Sequence, residues 1–86
     1  MSDSEDIVVH SFSKGEDEEV RFGIQKYRGR YYIDVRVWFQ ESETLEFKPT
    51  RKGVSVSVDR FPEIRKGMEK LVEGLERGNL IKHATV

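Results

Sequence analysis

The feature of this sequence that most limits its fold is a stretch near the middle in which apolar and polar residues alternate. The apolar set is Ile33, Val35, Val37 and Phe39, and the set between them is Tyr32, Asp34, Arg36 and Trp38. Successive side chains point to opposite faces of a β-strand, whereas a helix repeats its apolar positions every three or four residues. The stretch therefore predicts a strand over residues 31–39, with one apolar face and one face of rings and charges.

Neighbouring segments supply the other strands of an antiparallel sheet. Alternation predicts strands over residues 20–27, 45–48 and 54–58, and a further edge strand over residues 7–12. Gly29 suits a tight hairpin turn before the central strand, because glycine tolerates the left-handed backbone region.

The segment between the last two predicted strands is rich in basic residues. Alternation predicts that Leu45 and Phe47 face inward and that Glu46 and Lys48 face outward. Pro49 lacks the N–H that a strand ladder needs, so we expect it to end the strand. Residues 50–53 then form a basic loop, in which Gly53 serves either a turn or the close approach of a ligand to the backbone.

The apolar period changes after the last strand. Apolar residues recur at three and four positions and predict an amphipathic helix over residues 60–77, which we expect to cover the sheet. Asp59 is favoured over the alternative Ser57 as N-cap, because it places Pro62 in the first turn, and Gly78 is the expected left-handed C-cap. The predicted fold is an α+β domain in which four antiparallel strands precede one C-terminal helix.

Charge is distributed unevenly along the 86 residues. Residues 1–19 hold seven acids and one lysine, whereas the rest hold nine acids and fourteen bases. We therefore expect an acidic N-terminal arm over residues 1–19, a basic folded domain over residues 20–78 and a tail over residues 79–86. So small a domain buries little apolar surface alone, and a homodimer is the default expectation.

The composition also limits the function classes. The chain has no cysteine, signal peptide or apolar run long enough to cross a membrane, so we expect an intracellular protein without a membrane partner. Its two histidines, His10 and His83, lie in opposite tails, and we predict neither an enzyme nor a metal or other cofactor. Asp34 and Arg36 are expected to neutralise each other or charges on a neighbouring strand.

Rings beside cations on a sheet face leave two interpretations open. Aromatic side chains stack on unpaired bases and cations hold phosphates, which favours single-stranded nucleic acid as a ligand. The same rings could instead pack under the helix or at a dimer seam.

The order of residues in this region resembles a known family. An aromatic residue precedes Arg28-Gly29-Arg30, the motif IDVR follows, then an aromatic pair, then KPTRKG. This pattern is similar to the DNA-binding domain of the transcriptional positive cofactor 4 family, and the chain is identified as a short member of bacterial type. The resemblance implies a curved four-stranded sheet with a C-terminal helix, a homodimer, and binding of single-stranded or melted DNA without sequence preference.

The resemblance also implies roles for individual residues. Tyr27 and one of Trp38 or Phe39 stack on bases, since alternation turns Trp38 outward while alignment with the family places Phe39 at the stacking position. The predicted DNA-binding set is Tyr27, Arg28, Arg30, Arg36, Trp38, Phe39, Lys48, Arg51, Lys52 and Gly53.

The family implies a coactivator that regulates transcription and acts in replication or repair, with the transcription machinery as a partner. Its location is then the cytoplasm or nucleoid of a bacterium, or the nucleus of a eukaryote. Two alternatives stay open: a module that docks proteins and binds little DNA, and an RNA-binding chaperone that contacts 2′-hydroxyls.

Overall fold

Four strands and one helix make up the computed structural model, which describes residues 6–80. The strands are β1 (Ile7–Ser13), β2 (Glu18–Tyr27), β3 (Arg30–Gln40) and β4 (Phe47–Ser57). A 3-10 turn (Val58–Arg60) leads into helix α1 (Phe61–Arg77). The predicted class, four antiparallel strands in an open curved sheet followed by a C-terminal helix, is confirmed. Residues 1–5 of the predicted arm and residues 81–86 of the predicted tail lie outside the described residues.

The strands lie in the sheet in the order β1-β2-β3-β4, and each pairs antiparallel with the next in sequence. The predicted N-terminal edge strand is therefore the first of the four. The central pairing sets Arg21 opposite Arg36 and Phe22 opposite Val35 without interruption. Since paired residues share a face, the alternation predicted for the central strand holds across β2 and β3.

The prediction of two separate strands after residue 44 is wrong. Phe47–Ser57 forms one strand that passes through Pro49, which lies opposite Trp38. The missing N–H of proline is tolerated because β4 is an edge strand and one of its sides carries no ladder. Leu45 is not in a strand but in the preceding turn, with a left-handed φ of 64° and an exposed side chain.

The faces predicted for the start of this strand are reversed. Gln40 of β3 pairs with Phe47, and Phe39 pairs with Lys48. Phe47 therefore lies on the face of Trp38, and Lys48 lies on the apolar face with Phe39. A shift of one residue in register exchanges every side chain between the faces, and the register here is set after the Leu45 turn.

Both helix caps differ from the prediction. Helix α1 begins after Arg60, which makes no side-chain cap, while Asp59 lies in the 3-10 turn and accepts a hydrogen bond from the Ser57 hydroxyl. That bond is the main reason that the pKa of Asp59 is lowered. Pro62 lies in the first turn of α1, as predicted. Gly78 has a φ of −87°, and Asn79 takes the left-handed conformation instead.

The helix does not cover the sheet, contrary to the prediction. No loop separates Ser57 from the 3-10 turn and α1, so the helix leaves the end of β4 and meets mainly that turn. No residue of α1 is buried, and Leu71 is 60% exposed. Among residues 6–80 no apolar side chain is buried, so the apolar faces of sheet and helix are both open.

Candidate nucleic-acid interface

One face of the sheet carries five of the ten predicted binding residues. We call it the polar face. It carries Glu19, Arg21, Gln25 and Tyr27 of β2, Arg30, Tyr32, Asp34, Arg36 and Trp38 of β3, and Phe47, Pro49, Gly53 and Ser55 of β4. Part of it forms a groove of about 510 Å³, lined mainly by β3 and β4 together with Gln25 of β2 and Asp6. The side chains around that groove include Trp38, Arg36, Pro49, Thr50 and Arg51.

Arg36 lines the groove and links β3 to β4 there. Its Nη2 lies 3.0 Å from Oδ1 of Asp34, and its Nη1 donates a 2.9 Å hydrogen bond to the carbonyl of Thr50. Asp34 is only 5% exposed, and it is the one buried polar residue among those described. The expected neutralisation of Asp34 and Arg36 is therefore observed. The guanidinium joins β3 to β4, and its charge is largely offset before any ligand arrives.

A bulge in β4 carries two of the predicted phosphate contacts. Arg36 pairs with Gly53 and Trp38 pairs with Pro49, so residues 50–52 together face Val37 alone. The Thr50 hydroxyl donates to the carbonyl of Val37 at 2.8 Å and accepts from the amide of Lys52 at 3.1 Å. The predicted basic loop is thus a hydrogen-bonded bulge within a strand.

Gly53 has a structural reason to be glycine. A Cβ at this position would lie 2.6 Å from the carbonyl oxygen of Val35 and 2.8 Å from Cα of Arg36. No side chain fits there, because the bulge brings the backbones of β3 and β4 so close together. This requirement arises within the sheet, and contact of Gly53 with a ligand stays a prediction.

The two candidate stacking rings lie on opposite faces. Trp38 is half-buried beside the groove, and the Arg21 guanidinium carbon lies 4.2 Å from the centroid of its ring. Phe39 is 43% exposed on the apolar face, opposite Lys48. The alternation of the sequence therefore gives the correct orientation of Trp38. Which ring stacks on bases stays a prediction.

The β2–β3 hairpin presents a third ring and two cations. Arg28 and Gly29 have φ values of 53° and 78°, and two central residues with positive φ are what a type I′ turn requires. Tyr27 is 55% exposed, and the Arg28 guanidinium carbon lies 5.2 Å from its ring centroid. The ring and the basic groups are thus available together at this end of the sheet.

The predicted cations divide into two groups. Arg36 pairs with Asp34, and Lys48 pairs with Glu41 at 3.2 Å. Within residues 6–80, no carboxylate lies within ion-pair distance of Arg28, Arg30, Arg51 or Lys52. Unpaired, exposed cations retain the charge that attracts phosphate, so the second group is better suited to hold a nucleic-acid backbone. Besides the hydrogen bond from Ser57, the charge of Arg30 within this group also acts on Asp59 and lowers its pKa.

Two hydrogen bonds lower the pKa of Glu41, and the one from the Thr44 hydroxyl has a larger effect than the one from the Lys48 ammonium group. Lys48 thus tethers the turn between β3 and β4 and lies on the face away from the groove.

Phe47 belongs to the polar face, although alternation predicts that it faces inward. Its ring centroid lies 5.1 Å from the guanidinium carbon of Arg21, so Arg21 contacts both Phe47 and Trp38. No signal in the sequence sets this register, because alternation defines two faces without saying how β4 aligns with β3.

The part of the chain that the structure describes contains neither a metal-site candidate nor a membrane-spanning helix. No group of three His, Cys, Asp or Glu side chains there could hold a metal ion. Helix α1, with charges throughout its length, is not apolar enough to span a bilayer, and no other described helix qualifies.

Comparison with known proteins finds one family. The family model described as Transcriptional Coactivator p15 (PC4) matches residues 14–67. The RNA polymerase II transcriptional coactivator KIWI of Arabidopsis thaliana is 33% identical over 73 residues, which are 84% of this chain and 62% of that protein. The coactivator SUB1 of Saccharomyces cerevisiae is 32% identical over 66 residues, or 77% of this chain and 22% of that protein. The chain thus spans less than two thirds of either relative.

Solved structures show the same architecture. A crystal structure of a PC4 homolog from Burkholderia pseudomallei matches with a TM-score of 0.69 and 25% identity, over 78% of this chain and 97% of that one. The bacteriophage T5 homolog, described as implicated in recombination-dependent DNA replication, matches with a TM-score of 0.61 and 22% identity, over 91% and 83% of the two chains. At that identity the phage protein supports the fold alone.

Proposed function

The chain belongs to the family of the transcriptional coactivator p15 (PC4), and from that premise we propose that it is a homodimer that binds single-stranded DNA without sequence preference and acts in transcription. The domain that does so is proposed to span residues 20–78, with β1 (Ile7–Ser13) of the arm as its edge strand. A protein with this function would work where DNA is found, in a bacterial nucleoid or a eukaryotic nucleus.

The observation that carries the proposal is the combination of Trp38 in an open groove with the unpaired cations of the bulge beside it. Arg51 lines the groove and Lys52 follows it, both exposed. Base stacking on an aromatic ring tolerates any sequence, because every base has a π-face. Phosphate contact adds affinity without selecting bases. We assign the stacking role to Trp38, since Phe39 faces away from these cations.

Tyr27, Arg28 and Arg30 extend the proposed track to the β2–β3 hairpin, where a second base could stack. The helix has no role in reading DNA in this proposal. Its exposed apolar side chains instead support dimerisation, because such a face is normally covered in a folded protein. Two copies would cover each other's apolar surface and leave both polar faces accessible.

The test is a titration of a labelled single strand, its duplex and the matching RNA, at several salt concentrations. We expect tight, salt-dependent binding to the single strand, weak binding to the duplex, and quenching of the single tryptophan, Trp38. Preference for RNA would favour the chaperone alternative, and absence of binding to any of the three would refute the proposal and favour protein docking.

Variants test the contacts. Replacing Arg51 and Lys52 by Ala should flatten the slope of log affinity against log salt by about 0.7 for each lost phosphate contact. The matched control replaces Lys66 and Lys70 of α1 by Ala, which removes two positive charges from the helix instead of from the bulge. An equal effect of the two double variants would mean that net charge, rather than the bulge, determines binding.

A further inference from the structure

The Glu19–Arg21 pair of β2 lies beside Trp38, with the Arg21 guanidinium over the ring. Arg21 Nε lies 2.5 Å from Glu19 Oε2, and the guanidinium carbon lies 4.2 Å from the Trp38 ring centroid. Glu19 is directly opposite Trp38 in the β2–β3 register. Arg21, Glu19 and Trp38 therefore form one contiguous cluster that spans two strands.

The cluster limits which side of the Trp38 ring is free to stack on a base. Trp38 lines the groove between β3 and β4, whereas neither Arg21 nor Glu19 does. The Arg21 guanidinium carbon also lies 5.1 Å from the ring centroid of Phe47. A guanidinium in contact with two rings and a carboxylate has little freedom to move, because its planar fork satisfies both kinds of contact at once.

We propose that Arg21 is a positioning residue for single-stranded DNA binding: fixed by Glu19, it covers one side of the Trp38 ring and holds the other toward the groove. The inference rests on the proposed function and deepens it. It implies that each Trp38 stacks on one base rather than lying between two, and that Arg21 itself contacts no phosphate. Its charge is already offset by Glu19, and both side chains are largely shielded from solvent.

Positioning predicts a specific pattern for Arg21→Ala. Loss of the contact should expose Trp38 and lower affinity for an oligothymidylate by about 5-fold to 100-fold, the range of one stacked base. The slope of affinity against salt should stay unchanged, because no phosphate contact is lost. Glu19→Gln should produce the same changes to a smaller degree, since it frees Arg21 without removing it.

The experiment measures acrylamide quenching of Trp38 without DNA and oligothymidylate affinity across a salt series. The matched control is Arg65→Ala, which removes an arginine that is likewise ion-paired, at 3.8 Å from Glu69, in helix α1. Circular dichroism checks that each variant is folded. Arg21→Lys provides a second test if Arg21→Ala does not fold, because it keeps the charge and loses the planar group.

The outcomes separate the two proposals. Greater quenching and weaker binding with an unchanged salt slope support the positioning role. A salt slope flattened by about 0.7 would make Arg21 a phosphate contact and would overturn the positioning role. Unchanged quenching, unchanged affinity or tighter binding would also overturn that role. Wild-type protein that binds no oligonucleotide would refute the proposed function, and the role of Arg21 with it.

Discussion

Replacement of Gly53 by alanine tests the close approach of β3 and β4 at the bulge. The added Cβ would lie 2.6 Å from the Val35 carbonyl oxygen, 2.8 Å from Arg36 Cα and 2.9 Å from Arg36 Cβ. Favourable contacts between non-bonded carbon atoms begin near 3.5 Å. The overlap with the two carbon atoms of Arg36 is therefore about 0.6–0.7 Å. Two of the three atoms belong to backbone, which no rotamer change can move.

The magnitude follows from two opposing terms. Overpacking of this kind costs about 1–3 kcal/mol. Alanine also reduces the conformational freedom of the unfolded chain, which returns about 0.4–1 kcal/mol. We expect a net loss of about 1–2 kcal/mol in the free energy of unfolding, which lowers the melting temperature by roughly 4–16 °C for a domain of this size.

The assay is thermal unfolding followed by circular dichroism, with all proteins at one concentration so that association does not shift the midpoint. Gly15→Ala is the matched control, because a Cβ at that exposed position meets nothing within 4 Å. An unchanged melting temperature for Gly53→Ala, with weaker DNA binding, would refute the packing argument and show that glycine is needed for the ligand instead.

Three further predictions concern the turn and the helix. The free energy of unfolding should fall as the pH is lowered through and below 4.5, the ordinary pKa of Glu41, because the lowered pKa of the folded state stabilises the fold above that value and this stabilisation is lost on protonation. In urea titrations, Glu41→Gln should lose less stability in acid than the wild type, and an equal loss would show that Glu41 does not contribute. Gly67→Ala should raise the free energy of unfolding by about 1 kcal/mol per chain, because nothing within 4 Å meets its Cβ; a fall would mean that a partner helix packs there. Leu71→Asp should dissociate the proposed homodimer in sedimentation experiments, whereas Lys66→Asp should not, and a dimeric Leu71→Asp protein would exclude this helix face from the interface.

The features that the sequence predicted are those with a local cause. The alternation around Val35 and Trp38 follows from the geometry of a single strand, and the hairpin at Gly29 follows from the backbone freedom of one residue. Asp34 and Arg36 are two positions apart on one strand, so their pairing needed no knowledge of the tertiary structure.

The features that the sequence missed depend on contacts between strands. Pro49 indicated a strand end, but β4 lies at the sheet edge, where the ladder tolerates it. The face of Phe47 depends on how β4 aligns with β3, which alternation leaves undefined. The site prediction is affected in the same way, because Lys48 moves to the other face and Arg21 gains its place beside Trp38 only through the β2–β3 register.

The order of the strands has a consequence for how the chain reaches its fold. Because β1 to β4 pair in chain order, each hairpin can close through short loops, and low contact order favours rapid folding. Yet the described part of one chain buries no apolar side chain, so these hairpins gain little stability before the proposed homodimer forms. We expect refolding to begin with a fast phase independent of concentration and to finish in a slower phase whose rate rises with protein concentration. The slow step would then be the association of two chains rather than the pairing of strands within one chain.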